Sequence, residues 1–176
     1  MTRRIPALAV ALALLAAPLL AACGSGSNAA NASGGGSTTT QPQTGAATVK
    51  TASVGGLGTI LVDGQGRTIY LFQRDTGPTS TCTGACLQNW PAVTTHGMPR
   101  AAGGASAGKL GVSKRGDGTT QVTYAGHPLY YYAGDGAAGD TNGQGLNFFG
   151  ALWYVMGTNG SAVTTQASGG GSAGGY

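Results

Sequence analysis

Cys82 and Cys86 enclose Thr83-Gly84-Ala85, and outside the reducing cytoplasm so close a pair is expected to oxidise to a disulfide. The spacing is one residue longer than the redox-active Cys-x-x-Cys, and Leu87 stands where covalent haem attachment needs a histidine. A structural staple is the expectation. His96, Met98 and His127 form a second set, since a His-x-Met pair could ligate copper or haem iron. That defines an alternative reading, an extracytoplasmic redox component, although two histidines and no glutamate leave few ligands and no cofactor is the leading expectation. Asp135, Asp140 and Asn142 miss the calcium-loop spacing. The G-x-S-x-G match from Gly104 to Gly108 and the near phosphate loop up to Lys109 share one Ala/Gly-rich stretch, without the strand and helix that such sites require. No catalytic set emerges, and the chain reads as a non-enzyme.

Cys23 carries different chemistry. Residues 1–22 open with Arg3 and Arg4, continue in an apolar run from Ile5 to Leu20 and end in small residues, the three parts of a secretory signal. The run is interrupted by Pro6 and Pro18 and is short for a spanning helix, which needs about 20 apolar residues. Leu20-Ala21-Ala22-Cys23 resembles the lipobox at which a diacylglyceryl group is placed on the cysteine before cleavage. Cys23 is thus the expected lipid anchor, with the mature chain held at the outer face of the cytoplasmic membrane; two or more acyl chains make such anchoring stable. Without Arg3 and Arg4 the nine Lys and Arg fall to seven against five Asp, too weak a balance and too scattered for a nucleic-acid partner.

Composition sets what must position these residues. Residues 23–47 are the lipidated cysteine and a Gly/Ser/Asn/Thr-rich tether too apolar-poor to order itself; a flexible coil of that length spans on the order of 27 Å. Residues 48–166 hold nearly all the aromatics and form the body, and 167–176 return to Gly and Ser as a disordered tail. In the body short β-branched and aromatic runs, such as Thr68-Ile69-Tyr70-Leu71-Phe72 and Pro128-Leu129-Tyr130-Tyr131-Tyr132, are separated by Gly-rich turns. No segment carries a 3.6-residue stripe, so an all-β, antiparallel domain is expected.

Sliding the body by 60 residues superposes Thr59 on Thr119, Val62 on Val122, Gly66 on Gly126, Tyr70 on Tyr130, Phe72 on Tyr132 and Asp75 on Asp135. Two tandem repeats, about 55–100 and about 115–160, each run on to a tryptophan, Trp90 or Trp153, the second loop being three residues longer. Tyr70, Phe72 and Asp75, like Tyr130, Tyr132 and Asp135, follow one pattern: tyrosine, any residue, an aromatic, two residues, aspartate. This resembles the secreted-repeat bacterial lipoproteins, a family without an assigned biochemical activity. The resemblance implies an envelope protein but no reaction. In a strand the motif aromatics share one face, which predicts burial, with each aspartate accepting turn N–H groups; the alternative is a ligand cleft lined by the duplicated Tyr and Asp. The expectation for function is a non-catalytic binding or structural module, partnered by the membrane through its lipid and by an unknown envelope ligand or protein.

Overall fold

The computed structural model describes residues 45–165. The signal, Cys23, most of the tether and the tail lie outside the described residues.

Each copy opens with a hairpin: β1 (Thr48–Val54) with β2 (Gly58–Asp63) in copy one, and β5 (Leu110–Lys114) with β6 (Thr120–Tyr124) in copy two. Both turn tightly because a glycine accepts the left-handed backbone, φ 76° at Gly58 and 83° at Gly118. Then come β3 (Tyr70–Phe72), the helical turn α1 (Ala85–Asn89) and β4 (Arg100–Ala101) in copy one, and β7 (His127–Pro128), β8 (Asn147–Phe148) and β9 (Ala151–Val155) in copy two. Three three-stranded sheets result, ordered β2-β1-β4, β3-β9-β8 and β5-β6-β7. All named pairs are antiparallel except β1 with β4, a two-residue parallel contact that periodicity did not foretell.

The copies are not beads on a string. The aromatic strand β3 of copy one pairs with β9 of copy two, Phe72 lying opposite Trp153. Reciprocally, the Tyr130 segment of copy two bonds to copy one around Trp90: Tyr130 bridges Ala92, Tyr131 N–H donates to Pro91 O, and Ala133 N–H to Asn89 O. At the centre Tyr70 and Tyr130 exchange backbone hydrogen bonds of 2.8 and 3.0 Å. A pseudo-two-fold axis therefore runs between the two motif tyrosines.

Bridge partners refine the repeat register. Ile60 bridges Gly157 as Gln121 bridges Thr94, so the strand before the turn is offset by one residue more than the 60 that relates Tyr70 to Tyr130. Leu61, not Val62, is the counterpart of Val122. The extra residue sits in the Asp63-to-Arg67 turn, where Asp63 Oδ1 accepts the N–H groups of Gln65 and Arg67, both at 2.9 Å.

Strand alternation sorts the side chains into two cores. Ile60, Val62, Tyr70, Phe72, Trp90, Tyr130 and Trp153 fill one, and Leu61, Ile69, Leu71, Val122, Leu129 and Met156 the other. Cys82 and Cys86 form a disulfide with Cα atoms 5.3 Å apart, and both are buried in the first core. The staple is thus also a packing element. Closing a five-residue loop constrains the unfolded chain by roughly 2 kcal/mol. Reduction should therefore lower the unfolding free energy in urea by about 2 kcal/mol and leave the far-ultraviolet circular dichroism unchanged; global unfolding on mild reduction would contradict this account.

Candidate functional site

The motif residues meet at the pseudo-dyad in crossed pairs. Tyr70 of copy one donates its hydroxyl to Asp135 Oδ2 of copy two at 2.7 Å, and Tyr130 donates to Asp75 Oδ2 at 2.5 Å. The second oxygen of each carboxylate accepts a turn N–H, Thr81 at Asp75 and Asn142 at Asp135. The expected capping of turns by the aspartates is therefore only half of their bonding. Which tyrosine bonds which aspartate is a property of the fold, and no single-copy reading of the motif exposes it.

Aromatic rings are crossed in the same way. Phe72, Trp153, Trp90 and Tyr132 form one column, with centroid spacings of 4.0, 3.9 and 4.5 Å. Tyr70 packs edge-on to Trp90 and Tyr130 edge-on to Trp153, at 5.4 and 5.1 Å. Gly143 lies against this column: a Cβ there would come within 2.8 Å of Trp90 and 2.9 Å of Tyr70. Burial, reinforced by the partner aspartate, raises the Tyr70 and Tyr130 phenols far above their ordinary value. Both remain hydrogen-bond donors, and neither is free to act as a base or nucleophile.

The two locks differ in their surroundings. Asp75 is buried and also accepts the Thr81 hydroxyl at 2.7 Å, while Ser80 Oγ lies 2.6 Å from the Tyr130 hydroxyl. Asp135 is half-buried, and desolvation raises it from 3.8 to about 6 against the pull of Tyr70 and Asn142. Each lock borders a cleft. One of about 260 Å³ is lined by Leu71, Phe72, Gln73, Asp75, His127 and Ser161 among others. The other, about 150 Å³, is lined by Gln65, Arg67, Asp135, Gly136, Ala137 and Ala138. Arg67 and His127 are counterparts at the 60-residue offset, so each cleft combines the carboxylate of one copy with a basic side chain of the other.

Arg67 is held by a network that the sequence did not suggest. Its Nε and Nη2 both lie 2.8 Å from Asp63 Oδ2, its guanidinium stacks 4.0 Å from the Tyr131 ring, and Tyr131 donates to Asp63 at 3.1 Å. Arg115 similarly ties the copies together, donating to Gln121 Oε1 and to the Cys82 carbonyl at 2.7 Å.

His96 and Met98 lie exposed on the loop before β4, whereas His127 belongs to β7 of the other copy and is half-buried, with an Nδ1 that has no hydrogen-bond partner among the described residues. Among the described residues no three His, Cys, Asp or Glu side chains are grouped to hold a metal ion. Tyr70 and Tyr130 are buried in the core; of the motif residues, Phe72, Asp75 and Asp135 line the two clefts described above.

A duplicated, strand-exchanged β domain closed by crossed Tyr–Asp pairs is the class that fold and site define. The chain belongs to the family described as a secreted repeat of unknown function, Lipoprotein_15, whose model matches residues 51–94 and 111–156, one match per copy. No curated protein and no solved structure matches it.

The locks make two predictions. Tyr130→Phe should cost about 1–3 kcal/mol in urea unfolding, because it strips a donor from a fully buried carboxylate, and Tyr70→Phe should cost less because Asp135 retains access to water. A raised Asp135 binds its proton more tightly in the native than in the unfolded chain, so its contribution to stability is greatest below 3.8 and declines as pH rises to about 6. Asp135→Asn should flatten that part of a stability-against-pH curve; an unchanged slope would assign it to another group.

Proposed function

We propose that this chain is a lipid-anchored, non-catalytic module at the outer face of the cytoplasmic membrane, whose rigid body binds an envelope component or a partner protein. The observation that carries this reading is the mutual engagement of the motif residues. Both tyrosines and both aspartates are tied to one another and to their own turns, which favours an architectural role for the duplicated motif over a chemical one. Recognition then falls to the two dyad-related clefts, each with one acid and one base, dimensions that suit a small polar group or a side chain rather than a large cofactor. Membership in a secreted-repeat family agrees with an address outside the cytoplasm, and Cys23 behind a lipobox-like run supports the anchor.

Replacing Cys23 by Ala should release the chain from carbonate-washed membranes, which keep acylated but not peripheral proteins, without changing its melting temperature; retention through that wash after signal cleavage would refute the anchor. For the clefts, soluble envelope polysaccharides and peptidoglycan fragments should raise the melting temperature of the parent, and Ala137→Leu, which fills the smaller cleft, should diminish that rise. Turnover of any substrate in a hydrolytic and redox panel, abolished by one point mutation, would overturn the non-catalytic reading.

A further inference from the structure

The β8–β9 hairpin reverses through Phe149 and Gly150, with Phe148 opposite Ala151. The two turn residues have φ angles of 57° and 86°, as in a type I′ turn, whose first position favours Asn, Asp or Gly. A bulky aromatic in the left-handed region is strained. Burial offsets the strain only in part: Phe148 is 46% and Phe149 37% exposed, with ring centroids 6.0 Å apart. The β6–β7 turn has the same two positive angles at Ala125 and Gly126, so the fold builds this reversal without an aromatic elsewhere. At β8–β9 the chain instead holds two rings outward and braces them from behind. Trp153 Nε1 donates to the Phe148 carbonyl at 3.1 Å, and the exposed Arg74 donates to the Phe149 carbonyl at 3.3 Å.

We propose that Phe148 and Phe149 form an aromatic tip that enters the interfacial layer of an anionic lipid leaflet, with Arg74 meeting the headgroups, and thereby orients the body on the membrane. A part-exposed pair of rings flanked by a cation matches a deformable apolar layer beneath negative charge. The proposal rests on the anchored reading for proximity alone. An anchor at Cys23 would raise their effective concentration beside the same surface, while the affinity of the tip alone is what the unacylated chain reports.

The test uses residues 23–176 carrying Cys23→Ala, so that no acyl chain contributes, in flotation with phosphatidylglycerol and with phosphatidylcholine vesicles. The parent should float with phosphatidylglycerol. Phe148→Ser and Phe149→Asn should each reduce the bound fraction several-fold, and Arg74→Gln should reduce it on the anionic vesicles alone. Phe149→Asn should at the same time raise the melting temperature, since asparagine suits the turn, which separates lost binding from lost folding. A parent that does not float, or Phe variants that float like it, would overturn the proposal while leaving the Cys23 anchor standing. A parent that floats through its Phe pair, from cells whose authentic chain is stripped from the membranes by a carbonate wash, would remove the anchor and keep the tip.

Discussion

Trp90 and Trp153 lie face to face, 3.9 Å apart and within 4° of parallel, at the centre of a ring column to which both copies contribute alternately. An aromatic pair adds about 0.5–1.5 kcal/mol beyond its buried area, but here geometry matters more than the sum. Trp153 is delivered by β9, which pairs with β3 of copy one, and Trp90 by the segment after α1, whose Ala92 bridges Tyr130 of copy two, so the stack goes with the exchange. Exchange in turn brings Tyr70 to Asp135 and Tyr130 to Asp75. The clefts, the crossed hydrogen bonds and the close approach at Gly143 all follow from that one arrangement.

Duplication does not make the halves equal. Copy one closes its loop with a disulfide and the short α1, copy two with the β8–β9 hairpin. In copy two the Trp153 indole N–H finds the Phe148 carbonyl, whereas the Trp90 indole N–H, behind α1, is buried without a hydrogen-bond partner in the described residues. Copy one in turn surrounds its aspartate with Ser80 and Thr81, which copy two does not reproduce around Asp135. The Asp75 lock is buried and the Asp135 lock part-exposed, although each borders a cleft.

Much of the architecture was legible in residue pattern. Alternation in Tyr70-Leu71-Phe72 put Tyr70 and Phe72 on one face, and the structure buries them in one core with Leu71 in the other. The repeat, the all-β class and the Cys82–Cys86 bond were likewise readable from spacing. Three things were not. A 60-residue superposition cannot detect a one-residue insertion inside a Gly-rich turn, because Gly66 still falls on Gly126 across it. Nor does a repeated Tyr and Asp reveal whether they bond within a copy or between copies, since local spacing is the same in both cases. The Asp63–Arg67–Tyr131 cluster joins residues of different copies through contacts that no periodicity encodes.

Strand exchange also governs timing. The ladder partners of β3 in β9 are residues 153–155, more than 80 positions further along the chain, so the first repeat to leave the ribosome has neither its neighbouring strand nor half of its ring column. Long-range pairing of this kind delays folding until the distant segment is present. A polypeptide built in this way cannot complete its aromatic column until its second tryptophan has been synthesised.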